Sequence, residues 1–369
     1  MKKIYMSTIA AAILSTGAMA ESKTIKEAFE NGKVSGDISV FSENVNASGS
    51  TADSGFTVGS IGINYETDSV NGFTAAVGFR ANHEFTEKEE GDFDNTAPDS
   101  ALNTANISYT TDKANIKVGR QEIDLEWIGD FHEAVVTELT YVPDTTITIG
   151  HTERWMAADS DTALENMAEI GLNNNGATFV DAKYEGIKNI VLNPYFINMQ
   201  DTYNAYGLKA TSSISGIDIT AHYAATSEDI SGTEDGSIAH LEIGTTVSNI
   251  TLAAGYVTTD KEGGAGSMAT GSYTIGDNID PFEDGGDIYG TDADTFYVSA
   301  STEISSVSLS AFYGTTESGT ANDDNSEIVL TAGTTIAEDL ALNVLFSSID
   351  AQNSTDDKDK ITLMATYSF

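Results

Sequence analysis

Ile361-Thr362-Leu363-Met364-Ala365-Thr366-Tyr367-Ser368-Phe369 ends the chain, and in this stretch apolar residues alternate with mostly polar ones. Because successive side chains of a β-strand point to opposite faces, the alternation predicts a strand with one apolar face. The same pattern recurs upstream, for example from Leu340 to Phe346 and from Phe73 to Phe79. The sequence therefore predicts an all-β protein.

Reading every alternating segment predicts eighteen strands, with sixteen as the alternative count. The connections between them alternate between short ones, such as 142–144, and long ones, such as 82–101 and 259–293. Outer-membrane barrels have short periplasmic turns and longer outer loops, so this alternation predicts a transmembrane antiparallel β-barrel over 34–369 with both chain ends in the periplasm. A soluble β-sandwich also has alternating strands, but it has no reason to keep long and short connections in strict turn. The predicted strands are 34–43, 55–66, 72–81, 102–111, 113–121, 132–141, 145–152, 176–184, 188–198, 203–211, 216–225, 237–247, 249–258, 294–303, 306–314, 326–335, 340–347 and 360–369.

The start of the chain has the features of an export signal. Lys2 and Lys3 precede a short apolar run, and Ala18-Met19-Ala20 fits the small-x-small rule for cleavage, so we expect residues 1–20 to be removed. Residues 21–33 form a short N-terminal periplasmic segment in this interpretation. Helical spacing of apolar residues within it is compatible with a short periplasmic helix or with a plug inside the lumen, and both alternatives remain open.

The charge of the chain is strongly acidic. It has 57 Asp and Glu against 17 Lys and Arg, a formal net charge of −40, which argues against nucleic acid as a partner and favours cations. No cysteine is present, so disulfides and thiolate metal sites are excluded.

Three segments resemble a known family. They are Ile25-Lys26-Glu27-Ala28-Phe29-Glu30-Asn31-Gly32-Lys33-Val34-Ser35-Gly36, Val118-Gly119-Arg120-Gln121 and the terminal Tyr367-Ser368-Phe369. Together they resemble outer-membrane porins of the porin D type, especially the epsilonproteobacterial relatives and their major outer membrane proteins. The resemblance implies an 18-stranded barrel in the outer membrane of a Gram-negative bacterium, a homotrimer, contact with lipid and lipopolysaccharide, and a third outer loop, 122–131, folded inward to narrow the pore.

One departure from that family concerns arginine. Porin D relatives specialised for basic amino acids or carboxylates display a ladder of arginines across the lumen, whereas this chain beyond residue 20 has only Arg80, Arg120 and Arg154. Solute specificity is therefore not carried over from the resemblance.

The predicted function is a water-filled channel for passive diffusion of ions and small polar solutes, with a preference for cations. A non-channel surface protein for adhesion or structure is the alternative. No enzyme is predicted, because neither H-E-x-x-H nor G-x-S-x-G occurs. Polar positions within strands, such as Lys209, Asp218, His222, His240 and Glu242, are expected to face water. The candidate pore and constriction residues are Arg80, Lys117, Arg120, Glu122, Asp124, Glu126 and Asp130.

An acidic run in loop 259–293 offers the hard oxygen ligands that Ca²⁺ prefers. It does not have the spacing of a twelve-residue EF-hand loop, and a solvated acidic loop is the favoured interpretation. No other cofactor is predicted. The candidate ligands are Asp277, Asp280, Glu283, Asp284 and Asp287.

Overall fold

The structure is a computed structural model of the 369-residue chain. It describes residues 21–48, 51–94, 96–276, 279–319, 324–337, 339–352 and 357–369. The predicted signal segment 1–20 and Asp277 lie outside the described residues.

Almost all of the regular structure is β-strand. The described residues include one short α-helix, α1 (Ile25–Glu30), and one 3₁₀ turn at Gly271–Tyr273. A two-residue strand, β8 (Ala168–Glu169), pairs with the end of a longer neighbour. The eighteen barrel strands are β1 (Lys33–Ala47), β2 (Ser54–Glu66), β3 (Phe73–Glu87), β4 (Ser100–Thr110), β5 (Ala114–Glu122), β6 (Phe131–Leu139), β7 (Thr145–Met156), β9 (Ala177–Ile187), β10 (Ile190–Met199), β11 (Tyr203–Ile214), β12 (Ile217–Glu228), β13 (Ser237–Val247), β14 (Ile250–Thr259), β15 (Asp294–Ile304), β16 (Val307–Glu317), β17 (Asn325–Ile336), β18 (Leu340–Ala351) and β19 (Lys358–Ser368).

The strands form one closed antiparallel barrel. Each barrel strand pairs with its neighbour in the chain, and β7 pairs directly with β9. The ring closes between the first and last strands, where Asp37 is opposite Ser368 and Ala47 is opposite Lys358. The predicted fold class and the count of eighteen strands are therefore confirmed.

The alternation of connections is also confirmed. Short turns such as 188–189, 215–216 and 248–249 lie at one end of the barrel, and the described residues Ser22 and Phe369 lie there too. Several of these turns need a left-handed residue, for example Asn189 (φ 63°) and Ser248 (φ 59°), which is the geometry of tight hairpins. The opposite end has the longer connections, of which 260–293 is the longest and 200–202 is a brief exception.

The two faces of the wall have opposite character. In β19, Ile361, Leu363 and Tyr367 are exposed on the outside, whereas Thr362, Met364 and Thr366 are buried inside. The other strands also carry large apolar side chains on the outer surface, whereas their inward side chains are polar on some strands and apolar or aromatic on others. A soluble protein buries its apolar face, and a membrane barrel exposes it to lipid. Among the described residues, no helix is long and apolar enough to cross a membrane.

The N-terminal helix lies outside the lumen, at the end with the short turns. The Thr24 hydroxyl caps it by accepting from the backbone N–H of Glu27 (3.2 Å). The Tyr65 hydroxyl, on the outer face of β2, donates to the carbonyl of Phe29 at 2.6 Å, and Ser22 donates to Asp68 in the β2–β3 turn at 2.5 Å. The helix is therefore held at the outer rim of the barrel and not inside it as a plug.

Candidate functional site in the lumen

The inner surface of the barrel has two different walls. The inward residues of β1–β4 are mainly polar, and we call them the polar wall: Asp37, Ser39, Ser60, Arg80, Asn82, Asn103 and Ser108. The inward residues of β10–β16 are mainly apolar or aromatic, and we call them the apolar wall: Tyr195, Ile197, Tyr203, Ile238, Val257, Tyr297 and Phe312. Apart from the partly buried Arg80, both groups are buried, because loops from the far end of the barrel fold into the lumen and cover them.

The third loop, Ile123–Asp130, folds against the apolar wall. Trp127 is fully buried (0% exposed), and its indole N–H donates to the Tyr195 hydroxyl at 2.7 Å. The backbone turns sharply at Trp127, with φ of 63°, and the loop hydrogen bonds between Leu125 and Ile128 close this turn. The predicted inward fold of this loop is therefore what the structure shows.

The seventh loop, 260–293, joins the third loop inside the lumen. Ile128 and Ile275 form a bridge, and the N–H of Gly129 donates to the carbonyl of Ile275 at 2.8 Å. Gly276 permits this approach, since a Cβ there would lie 2.5 Å from the nitrogen of Gly129. The two loops therefore constrict the lumen as one unit.

Charged groups on the wall hold the seventh loop in place. Glu327 of β17 accepts hydrogen bonds from the backbone N–H groups of Glu283 (2.9 Å), Asp284 (3.3 Å) and Gly285 (3.2 Å). Lys360 of β19 forms ion pairs with Glu283 at 2.7 Å and with Asp284. Such charge-assisted contacts are shorter and stronger than neutral hydrogen bonds.

The fourth loop, 157–176, reaches across to the polar wall. The Asn82 amide donates to the carbonyls of Asp159 at 2.8 Å and Thr162 at 2.7 Å. Leu164 in the same loop is buried against Met156, where it shields the loop from water. This contact places acidic side chains of the loop beside the polar wall.

A chain of polar contacts connects the third loop to the apolar wall. Glu126 forms an ion pair with Lys209 of β11 at 2.7 Å, and its second oxygen lies 3.8 Å from His222 of β12. The Tyr195 hydroxyl, which accepts from Trp127, also lies 2.7 Å from Nε2 of His222. Burial raises the pKa of Glu126, and the charge of Lys209 opposes that rise.

Acidic side chains of the third and fourth loops lie close to one another. Burial raises the pKa of Asp130 to about 7, and the nearby carboxylates of Asp159, Glu122 and Glu165 add to the effect. Burial and the charge of Asp159 likewise raise the pKa of Asp161 to about 6. Carboxyl groups are therefore concentrated where the loops approach the polar wall, and their ionisation depends on pH near neutrality.

The structure places most of the predicted pore residues in the lumen. Arg80 lies on the polar wall and forms a bidentate pair with Asp37 at 2.7 and 2.9 Å. Lys117 occupies an inward position of β5, and Glu126 and Asp130 lie in the third loop. Glu122 ends β5 and Asp124 is exposed in the third loop.

Arg120 is a correction to the sequence prediction. It lies two residues after Val118 in β5, so both side chains are on the same face of the strand, and Val118 is exposed on the outer surface. The neighbouring Gln121 points inward and is buried. Its guanidinium forms an ion pair with Glu133 at 2.6 Å on the outside of β6. Arg120 therefore cannot oppose the acidic third loop across the pore, and Lys209 occupies that role toward Glu126.

Two of the candidate Ca²⁺ ligands, Glu283 and Asp284, form ion pairs with Lys360. Asp284 also lies 3.8 Å from Lys358. Within the described part of the chain, which omits Asp277, no group of three or more acidic or histidine side chains is arranged to hold a metal ion. Calcium binding by Asp280, Asp287 and the rest of this run stays a prediction.

Sequence reasoning missed Asp159, Asp161 and the inward fold of the seventh loop. A signal for that fold was present: Ile275, Ile279, Phe282 and Ile288 are large apolar residues within an otherwise acidic loop, and all four are buried. Leu164 and Ile170 give the same signal in the fourth loop. A solvated outer loop has no need of such residues.

Comparison with known proteins bears on the fold. No protein-family model matches the sequence, and no curated protein matches it either. Solved structures do match: Acinetobacter baumannii OccAB4 has a TM-score of 0.75 at 14% identity, with 95% of this chain and 99% of that chain covered. Pseudomonas aeruginosa OccK9 (OpdG) has a TM-score of 0.75 at 12% identity, with coverages of 93% and 99%. A variant of OccD1 (OprD) has a TM-score of 0.70 at 11% identity, with coverages of 95% and 97%. At these identities the likeness shows that the chain shares their barrel fold.

Proposed function

We propose that the protein is an outer-membrane porin, a water-filled channel through which ions and small polar solutes diffuse down their gradients. The observation that supports this most directly is a closed barrel with an apolar outer surface around a lumen that two inward loops narrow and that polar and charged side chains line in part. The fold shared with OccD1 (OprD) agrees with the porin D resemblance of the sequence. The narrower likeness to epsilonproteobacterial relatives stays a prediction.

We further propose that the channel prefers cations. Three inward basic groups, Arg80, Lys209 and Lys360, each lie within ion-pair distance of a carboxylate, so their charge is compensated. Asp130 and Asp161 lie near other acids of the third and fourth loops, and at Asp161 the charge of Arg80 opposes their effect. A surplus of one sign in a narrow, low-dielectric passage concentrates ions of the opposite sign.

The proposal extends to the surroundings of the barrel. Export by removal of residues 1–20, a homotrimer, outer loops in contact with lipopolysaccharide and the absence of catalysis all belong to it. The long connections would face the exterior, as in other outer-membrane barrels.

Conductance in planar bilayers tests this function. The purified chain should give stable open channels, and reversal potentials in a KCl gradient should favour K⁺. An adhesion or structural protein would give no channels, and a chloride-selective channel would contradict the cation preference alone. A boiled, unfolded sample is the control for detergent artefacts.

A further inference from the structure

The outer surface of β5–β7 differs from that of the other strands. β12, β14, β16 and β18 run away from the short turns, and the outward residue six positions after the first residue of each strand is aromatic: Tyr223, Tyr256, Tyr313 and Phe346. β13, β15 and β17 run the other way, and the residues six positions before their last residues are Leu241, Val298 and Leu330. At the same level β5, β6 and β7 present Arg120, Glu133 and His151. The aromatic belt that faces lipid is therefore interrupted in this sector.

The charged groups of this sector form a connected chain of alternating sign. Arg120 pairs with Glu133 at 2.6 Å, Glu133 lies 3.7 Å from Arg154, and Arg154 pairs with Glu169 of β8 at 3.0 Å. Glu133 and Arg154 keep roughly a third to a half of their side-chain surface exposed (35% and 45%). These charges can therefore form further contacts outside the chain.

The same sector is concave. A depression of about 420 Å³ opens on the outer surface, and Val118, Val135 and Leu102 supply its apolar lining beside the ion pairs. β5 and β6 are also the shortest barrel strands, with nine residues each. A low, concave patch with an apolar floor and a charged rim has the anatomy of a protein interface.

We propose that this outer face of β5–β7 is the surface through which copies of the chain contact one another. The inference rests on the homotrimer of the proposed function and names the face that forms it. Around a three-fold axis one edge of the patch meets the other edge of the same patch on the next copy, and a patch that holds both Arg120–Glu133 and Arg154–Glu169 offers each charge an opposite partner there. A lipid phosphate fits less well, because Glu133, Glu153 and Glu169 outnumber the two arginines.

Charge reversal tests the surface in detergent solution. By light scattering after size exclusion, the unaltered protein should have the mass of three chains, and Glu133→Lys should reduce most of it to single chains, because positive charges then outnumber carboxylates in the patch and the copies repel one another. The double variant Arg120→Glu with Glu133→Lys should restore the larger mass. Glu185→Lys, at the end with the short turns and outside the patch, is the matched control and should leave the mass unchanged.

Chemical cross-linking gives a second measurement that does not disturb the ion pairs. The chain has no cysteine, so Val135→Cys should be joined between copies by a short bis-maleimide, whereas Val298→Cys, at the same level on β15, should not. Single-chain mass of the unaltered protein, a three-chain mass of Glu133→Lys, or equal cross-linking at both positions would overturn the proposal. So would single chains that bind lipopolysaccharide through Arg120. Conductance of the same samples separates the two proposals. Channels without cross-links would refute the contact surface on β5–β7, and cross-links without channels would refute the porin function.

Discussion

The polar wall and the apolar wall are built from the same kind of strand and yet are used differently. Inward residues of the polar wall form hydrogen bonds: Ser60 accepts from Arg80, and Asn82 donates to the fourth loop. Those of the apolar wall, such as Tyr203 and Tyr297, give the third and seventh loops a surface on which to pack. From this difference we predict that solutes pass beside the polar wall, while the apolar wall supports the loops of the constriction.

Removing the seventh loop should have the largest effect on this arrangement. Replacement of residues 266–288 by a short Gly-Ser linker takes away the packing partner of the third loop and uncovers the apolar wall. Single-channel conductance should rise on the order of three-fold, since current follows the open cross-section. Shortening the exposed loop at 231–234 is the control and should leave conductance as it was. An unchanged conductance after the first replacement would refute the division into two walls.

Trp127→Ala should have the next largest effect. The side chain is fully buried and bonded to Tyr195, so its loss costs about 3–5 kcal/mol of loop anchoring. We expect conductance to rise about two-fold, with added open-channel noise as the loop moves in the passage. Phe296→Ala removes an aromatic ring from the outer surface and should change neither quantity. Identical traces from both variants would indicate that the third loop is not the constriction.

The pH dependence of selectivity tests the acidic cluster. Because the pKa of Asp130 is raised to about 7, this carboxyl is neutral below that pH and becomes charged above it. The preference for K⁺ over Cl⁻ should therefore increase as the pH rises from about 5 to about 8, by about two-fold. Asp130→Asn should flatten this dependence, whereas Asp235→Asn in an exposed outer loop should preserve it. A preference that falls with rising pH would contradict the assignment.

Arg80→Gln should produce the smallest change. It removes the positive charge that compensates Asp37 on the polar wall, so cation preference should increase by less than about two-fold. Lys261→Gln alters an exposed lysine of the seventh loop and provides the comparison. If Arg80→Gln instead lowered the cation preference, solutes would not pass along the polar wall.

The barrel could be predicted from the sequence because alternation is a local property of each strand. All eighteen predicted strands are present, and the end from Ile361 to Phe369 pairs as expected with the strand at Val34. Arg120 is the exception among the candidate pore residues, because its spacing of two from Val118 places it on the outer face of β5.

The interior of the site was harder to predict. Whether a loop turns inward depends on contacts between residues far apart in the chain, such as Trp127 with Tyr195 and Lys360 with Glu283. Composition alone made the seventh loop look like a solvated acidic segment. Its apolar residues indicated burial, but nothing local specified which wall would receive them.

The pairing of β1 with β19 has a consequence for how the chain folds. Every other barrel strand pairs with a neighbour in the chain through a hairpin or a single loop, whereas this seam joins residues such as Val40 and Ala365 from opposite ends. Contacts between distant parts of a chain form slowly, because loop-closure entropy must be overcome first. We therefore expect the seam to be the last element to form and the first to open under denaturant, so that amide exchange at Ile38 and Val40 would report the lifetime of the closed ring.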